Sequence, residues 1–118
     1  MKNDLLDRTK IFALNIIKFV QSLPTDSVSK VLSNQLLRAG TSVGANYRSS
    51  QRAKSKSDFI YKIKISEEEA DESVYWLELI ISSKILKDNS ETEKLLKEAN
   101  ELTAILSSIA IKAKGTKN

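Results

Sequence analysis

The residues of this sequence best suited to binding chemistry are cations in its middle part. Between residues 38 and 64, Asp58 is the only acid. Six of the cations in this stretch are predicted to contact a polyanion: Arg38, Arg48, Arg52, Lys54, Lys56 and Lys62. Arginine and lysine side chains bind phosphate oxygens, and the nearby Tyr47 and Tyr61 offer rings on which bases can stack. This pattern predicts binding to structured or single-stranded nucleic acid with little sequence preference.

Two other interpretations of the cations stay open, because the charge inverts immediately afterwards. Acids then dominate, at Glu67, Glu68, Glu69, Asp71, Glu72 and Glu78. The arginines can therefore pair with the acidic half of a neighbouring helix, or they can be an ordinary solvated helix end. In either case the protein would be an oligomeric scaffold or adaptor that binds a protein partner.

The sequence lacks the residues that most enzymatic mechanisms require. The chain has no histidine and no cysteine, which removes the commonest general base and the thiolate metal ligands. The segment 40–44 contains two glycines but lacks the lysine and the strand context of a phosphate-binding loop. Glu69 and Glu72 resemble half of a di-metal motif, whose histidine is missing. We therefore predict a non-enzymatic protein with no cofactor and no metal.

Length and hydropathy set the class of protein. The 118 residues and formal net charge of +4 predict one domain, spanning residues 1–118, with a core of its own. No stretch approaches the roughly 20 apolar residues that a membrane span requires. The N-terminus has early acids and lacks the apolar segment of a signal peptide. We expect a cytoplasmic protein that does not bind membranes.

Apolar periodicity predicts four helices, and one proline and three glycines leave little room for strands or long loops. The predicted helices cover about residues 3–22, 26–53, 57–88 and 90–114. Short connections then give an all-α, antiparallel up-down-up-down four-helix bundle. Ser57 is the predicted N-cap of the third helix, and Ser90 opens a capping box at the fourth. The last residues, 116–118, are expected to fray.

Each predicted helix has one inward stripe. The first helix presents Leu5, Phe12, Ile16, Phe19 and Leu23. The second presents the small and polar set Val28, Leu32, Gln35, Ala39, Ser42, Asn46 and Ala53. The third presents Ile60, Ile63, Ala70, Val74, Leu77 and Ile81. The fourth presents Leu95, Ala99, Leu102, Leu106, Ile109 and Ala113.

Four positions depart from a simple bundle. Gly40 and Gly44 indicate either a close approach of another helix or a kink in the second helix. Glu67 falls on the inward stripe of the third helix, so either a polar partner answers it or the stripe rotates and leaves it solvated. Trp76, beside that stripe, is expected to be largely buried at a helix or subunit contact.

The first helix also carries more apolar surface than one core absorbs. The surplus residues lie beside its main stripe: Leu6, Ala13, Ile17 and Val20. Surplus apolar area usually marks an interface. Because a basic segment of one chain can meet an acidic segment of the next, we expect a head-to-tail homo-oligomer that closes into a ring.

The ordered motifs resemble a known family. They are Leu23-Pro24, Gln35-Leu36-Leu37-Arg38-Ala39, Thr41-Ser42, Ala45-Asn46-Tyr47-Arg48, Arg52-Ala53, Ser57-Asp58-Phe59, Lys62, Glu69-Ala70-Asp71-Glu72 and Tyr75-Trp76-Leu77-Glu78. In this order they resemble the bacterial four-helix-bundle family also called the 23S rRNA-intervening-sequence protein family. The resemblance covers nearly the whole chain and is densest from Pro24 to Glu78. Gly44 and Glu67 depart from it, since apolar residues are common at both positions and proline also occurs at the first.

The resemblance implies a small helical bundle that assembles as a homopentamer and has no enzymatic activity. Some members are encoded within intervening sequences of large-subunit ribosomal RNA genes. A related protein, the accessory variability protein of diversity-generating retroelements, binds nucleic acid and a reverse transcriptase through a basic surface. The resemblance therefore favours the nucleic-acid interpretation, with RNA rather than DNA as the ligand, without excluding a protein partner.

Overall fold

Four helices form the whole of the regular structure in the computed structural model, which describes residues 3–115. They are α1 (Asp4–Gln21), α2 (Ser27–Ser50), α3 (Lys56–Ser82) and α4 (Ser90–Gly115). The predicted all-α class and the four helices are confirmed. The predicted fraying of residues 116–118 lies outside the described residues. No helix within residues 3–115 combines the length and the apolar composition that crossing a bilayer requires.

Side-chain contacts show that consecutive helices run antiparallel. The start of α1 meets the end of α2, where the Asn3 side chain donates to the Tyr47 hydroxyl over 3.0 Å. The middle of α2 meets α3, since Ser66 Oγ donates to the Val43 carbonyl oxygen over 2.7 Å. The start of α1 also meets the middle of α4 through Arg8 and Glu98. Arg38, five residues before Val43, contacts Glu69, three residues after Ser66, so α2 and α3 run in opposite directions. The short connections complete the up-down-up-down order.

The core confirms most of the predicted stripes of α1, α3 and α4. Their buried members are Phe12, Ile16, Phe19 and Leu23, then Ile63, Ala70, Val74 and Leu77, then Leu95, Ala99, Leu102 and Leu106. Leu5, Ile60, Ile81, Ile109 and Ala113 are only partly buried. Ile80 and Ala110 are buried although the predicted stripes did not include them.

The predicted stripe of α2 is wrong by about one residue. Leu32 and Ala39 are buried as predicted, but Val28 is exposed. Gln35, Ser42, Asn46 and Ala53 are only partly buried. The residues that face the core are instead Leu36, Gly40, Val43 and Tyr47. One residue turns a helix by about 100°, and burying leucine, valine and tyrosine removes far more apolar surface from water than burying glutamine, serine and asparagine.

Gly40 and Gly44 lie where α2 approaches α1 most closely. A Cβ atom added to Gly40 would lie 2.8 Å from Ile16 Cγ1 and 3.0 Å from Ile16 Cγ2. One added to Gly44 would lie 3.1 Å from Thr9 Oγ1. Because α2 is a continuous helix through both positions, the structure supports the close-approach interpretation and not the kink.

Four helix boundaries differ from the predicted ones in position or capping, at the end of α2, at both ends of α3 and at the start of α4. Ser55, not Ser57, is the N-cap of α3 and accepts from the Asp58 N–H over 3.0 Å. The same helix ends at Ser82 rather than near residue 88, because Lys84 adopts a left-handed conformation with φ of 60°. Ser90 is the first residue of α4 and not its cap, since its hydroxyl donates to Asp88. Similarly, α2 ends at Ser50, three residues before the predicted end.

Glu67 and Trp76, the two side chains of α3 that depart from a simple bundle, are both partly buried. Glu67 is partly buried, and no hydrogen bond or ion pair to it is found within residues 3–115. Trp76 is partly buried against the core, so the expectation of a largely buried indole is not met within one chain. Its Nε1–H donates to Glu72 Oε2 over 3.1 Å, which explains why the ring edge stays at the surface.

Gly40→Ala should lower the free energy of unfolding. Alanine gains about 1 kcal/mol in helix propensity over glycine, but its methyl group would overlap a β-branched side chain that cannot easily rotate within α1. Overpacking of this kind costs about 1–3 kcal/mol, so we expect a net loss of about 1 kcal/mol, measured by urea denaturation.

Two further variants make this test specific. Gly115→Ala, where no atom lies within 4 Å of the new methyl group, should cause no loss. Ile16→Ala should cost about 2–5 kcal/mol alone, and combined with Gly40→Ala it should cost less than the sum. A Gly40→Ala protein as stable as the parent would show that the helices separate freely at this point.

Candidate nucleic-acid interface

The six predicted cations separate into groups with different roles. Arg38 and Lys62 are held by acids of the same chain. Arg48, Arg52 and Lys54 lie exposed around the end of α2. Lys56 is partly buried at the first position of α3 and also contacts a neighbouring group. The candidate interface is therefore smaller than predicted and is centred on the α2–α3 turn.

Arg38 is part of an interhelical network. Its Nη1 lies 3.1 Å from Glu69 Oε1, and its Nη2 contacts Glu72 Oε2. The Glu72 carboxylate also accepts the indole N–H of Trp76. The open interpretation in which an arginine pairs with the acidic half of the neighbouring helix therefore holds at Arg38. Arg38 is therefore less available to a nucleic acid than the cations without an ion pair, and its assignment to the nucleic-acid site stays a prediction.

Lys62 is held in the first turns of α3 by Asp58. Its Nζ lies 3.1 Å from Asp58 Oδ2, and the same oxygen accepts the backbone N–H of Lys54 over 3.1 Å. The Lys54 N–H and then the Lys62 ammonium lower the pKa of the Asp58 carboxyl below its ordinary value. Asp58 thus ties the turn to α3, and Lys62 is the least available of the cations near the turn.

Arg48 and Arg52 lie at the rim of a groove on the outer side of α1 and α2. The groove has a volume of about 510 Å³. Its floor is apolar or small, with Leu6, Ala13, Gly44 and Ala45. Within residues 3–115 neither arginine forms an ion pair, so both guanidinium groups keep their donors free for a ligand.

Lys54 extends the accessible charge across the turn. Its backbone N–H is bonded to Asp58, but its side chain is exposed and makes no ion pair among the described residues. Lys10 of α1 also lines the groove beside Arg48. Asp7 is the acid in this lining, and it has an interaction of its own.

The topology brings two further cations to this end, which sequence reasoning missed. Lys112 and Lys114 occupy the last turn of α4. Because α4 is antiparallel to α3, the end of α4 lies where α3 begins and α2 ends. The signal was present in the predicted up-down-up-down order, which places the start of an odd helix beside the end of an even one. We call Arg48, Arg52, Lys54, Lys112 and Lys114 the basic end of the bundle.

The two predicted stacking tyrosines have opposite environments. Tyr47 is 5% exposed, and its hydroxyl hydrogen-bonds with the Asn3 side chain. Tyr61 is 64% exposed on the outer face of α3. Only Tyr61 therefore presents a ring to a ligand.

Within residues 3–115 no group of three or more acidic residues is placed to hold a metal ion.

The structure thus defines a small all-helical bundle with a cluster of cations at the end where α2 turns into α3. Comparison with known proteins identifies its lineage: residues 1–108 match the profile of the 23S rRNA-intervening sequence protein family, and the chain belongs to that family. A crystal structure from Bacteroides thetaiotaomicron, of a protein of unknown function from the S23 ribosomal protein family, is 36% identical. The match covers 89% of this chain and 96% of that one, with a TM-score of 0.82.

These comparisons support the recognised family and the fold. No curated protein matches the chain. Neither the family description nor that of the Bacteroides protein names a catalytic activity.

Asp58→Asn should remove a pH-dependent part of the stability. Because the folded-state pKa of Asp58 is depressed, its contribution is present above the ordinary aspartate pKa of about 3.9 and is lost as the pH falls through the lower folded-state value. The variant should melt below the parent at pH 7, and the gap should narrow near pH 3.

Asp71→Asn is the matched control, because it removes an exposed carboxylate of the same helix. It should leave the melting temperature at pH 7 nearly unchanged. A constant gap between Asp58→Asn and the parent from pH 7 to pH 3 would contradict a role for the ionised carboxylate.

Proposed function

We propose that this protein binds nucleic acid, RNA in preference to DNA, through the basic end of the bundle. The observation that carries the proposal is the exposure of Arg48, Arg52 and Lys54 around the α2–α3 turn with no ion pair to occupy them in the described part of the chain. Lys112 and Lys114 add charge from α4. Cations grouped in this way attract phosphates and release condensed counterions on binding.

The charge distribution favours contact with a backbone rather than with base edges. The basic end lies at helix ends and a turn, whereas proteins that read a duplex usually lay a helix or a two-stranded ribbon along its groove. Contacts from such a surface position a nucleic acid without reading its sequence. We therefore expect low sequence preference and a strong dependence of affinity on salt.

The preference for RNA rests on the family. Its description refers to the intervening sequences of 23S ribosomal RNA, which supports an RNA ligand in the bacterial cytoplasm for this chain. The Bacteroides protein is described as of unknown function and therefore adds support for the fold alone.

We further propose that the protein acts as a homo-oligomer, and the family resemblance favours a pentamer. Exposed apolar side chains support self-association: Ile11 and Leu14 on α1, and Val28 and Val31 on α2. A closed ring would repeat the basic end in every subunit around one axis. Tethered copies of a weak site gain avidity because each later contact is intramolecular.

The same exposed apolar residues support a second candidate, an oligomeric scaffold that binds a protein partner. Apolar side chains at α1 and α2 suit a protein surface better than a phosphate backbone. The two candidates differ in their response to salt. Affinity for a nucleic acid falls steeply with salt concentration, whereas affinity for an apolar protein surface does not.

Changing Arg48, Arg52 and Lys54 together to glutamate should abolish RNA binding. The substitutions are at exposed positions, so helicity and oligomer mass should not change. Binding is measured by fluorescence anisotropy at several salt concentrations, where the parent should show a log–log slope of about −0.7 to −0.9 for each phosphate that it neutralises.

The control places the same change of formal charge at the opposite end of the bundle. Lys18, Lys30 and Lys87 are exposed there, and their replacement by glutamate should reduce affinity only slightly through the weaker overall field. If the Arg48, Arg52 and Lys54 variant binds RNA as well as the parent at low salt, the basic end is an ordinary solvated helix junction and the scaffold candidate takes its place.

Ile11→Glu combined with Leu14→Glu should reduce the oligomer to smaller species. A charged side chain at each position cannot be buried in an interface without a partner, whereas both positions are exposed within one chain and tolerate charge. Light scattering at micromolar concentration measures the mass. A parent protein of monomer mass would contradict the assembly proposal, and an unchanged oligomer in the double variant would place the interface elsewhere.

A further inference from the structure

We propose that Tyr61 stacks on an unpaired base and that the basic end therefore prefers single-stranded nucleic acid over duplex. This inference rests on the proposed function and extends it to a class of ligand. It also adds a residue, Tyr61, that the charge argument does not use. The supporting observations are its exposure, its neighbours and the contrast with a second exposed tyrosine of the same helix.

Tyr61 is exposed at the basic part of α3. It lies five residues after the start of the helix at Lys56, which is about 7.5 Å along the axis. Lys64 follows three residues later, about 4.5 Å further and about 60° around the helix. Lys64 is also exposed and forms no ion pair among the described residues. A phosphate near Lys64 would therefore place an adjoining base within reach of the ring.

The ring of Tyr61 has no evident structural use in the single chain. It is 64% exposed and is absent from the apolar core and from the side chains packed against it. No hydrogen bond of its hydroxyl is found within residues 3–115. An aromatic face left in water next to cations is the arrangement by which single-strand-binding surfaces combine stacking with phosphate contacts.

Tyr75 provides an internal comparison on the same outer face of α3. It is 53% exposed and lies fourteen residues after Tyr61, about 21 Å along the axis and about 40° around it. Its neighbours one turn away are Asp71 and Glu78, and it packs edge-on against Trp76 with ring centroids 5.0 Å apart. Asp58 lies one turn before Tyr61 but is paired with Lys62, whereas the two carboxylates near Tyr75 form no ion pair in residues 3–115 and repel a phosphate chain. Of these two tyrosines, Tyr61 therefore combines ring exposure with positive charge.

The requirement for an unpaired base follows from geometry. In a duplex the faces of each base are covered by the neighbouring base pairs, whereas single strands and loops can present a face to an aromatic side chain. Stacking is also tolerant of sequence, because every base has an aromatic face. The basic end would therefore recognise the strand state of a nucleic acid while ignoring its sequence.

The test compares three variants of the full-length protein on three labelled probes. The variants are Tyr61→Ala, Tyr61→Phe and Tyr75→Ala. The probes are an oligouridine of about 12 nucleotides, within the usual site size of roughly 4–16, an RNA duplex of equal length, and an abasic oligomer of equal length. The abasic probe keeps the phosphates and lacks the bases, so it separates stacking from charge.

Loss of the ring should weaken binding to the single strand alone. Tyr61→Ala should reduce affinity for oligouridine by about 5- to 150-fold, the equivalent of one stacked base, and should leave affinity for the duplex and for the abasic oligomer unchanged. Tyr61→Phe keeps the ring and should bind like the parent. Tyr75→Ala should also bind like the parent.

Each other outcome overturns the inference. If Tyr61→Ala binds oligouridine like the parent while glutamate at Arg48, Arg52 and Lys54 still abolishes binding, stacking is wrong and the proposed function stands. If Tyr61→Ala weakens all three probes equally, the residue acts through folding or charge, which circular dichroism distinguishes. If the parent binds none of the probes at low salt, the proposed function fails together with this inference.

Discussion

The close approach of α1 to α2 at Gly40 is the constraint on which the rest of the bundle depends. With hydrogen in place of a side chain, α2 can bring its backbone against Ile16, and a methyl group at the same place would overlap two atoms of that residue. This approach places Leu36, Val43 and Tyr47 in the core. The outer side of α2 then faces away from the core, and Arg48 and Arg52 project from it. The exposed position of Arg48 is thus a consequence of the packing that fixes the rotation of α2, and Arg52 follows just beyond the end of the helix.

Ion pairs within the chain determine which cations remain available to a ligand. Arg38 lies beside the acidic half of α3 and is neutralised there by Glu69 and Glu72. Lys62 lies one turn after Asp58 and is neutralised within its own helix. Arg48 and Arg52 form no ion pair with those acids in residues 3–115, and Lys54 is bonded to Asp58 through its backbone N–H while its side chain stays exposed. The distribution of charge on the folded surface therefore differs from its distribution along the sequence.

Sequence periodicity predicted the fold class and most of the core of α1, α3 and α4, because leucine, isoleucine and phenylalanine mark those stripes clearly. The stripe of α2 was not predictable in the same way. Glycine and serine on that helix mark close approach to a neighbour as readily as they mark a solvated face. The N-cap at Ser55 and the left-handed Lys84 escaped prediction because each depends on a single local backbone choice.

The candidate site was predictable as a region and not as a set of residues. Arg48, Arg52 and Lys54 were identified from charge alone. Arg38 and Lys62 could be separated from the available cations only from the positions of Glu69 and Asp58 in space. Lys112 and Lys114 could be assigned to the basic end only from the topology. Tyr47 and Tyr61 are the same residue type fourteen positions apart, and only the packing of α1 onto α2 showed that one belongs to the core and the other to the surface.

The even number of helices has a practical consequence for labelling and purification. The beginning of α1 and the end of α4 lie at the same end of the bundle as the α2–α3 turn. An affinity tag or fluorescent protein joined directly to the start of α1 or to the end of α4 would therefore lie next to the cations and would screen or obstruct them, most strongly if the tag is acidic. The loop between α3 and α4 lies at the far end of a molecule 51 Å long, so an exposed residue such as Lys87 is the better attachment point for a dye or a surface linker.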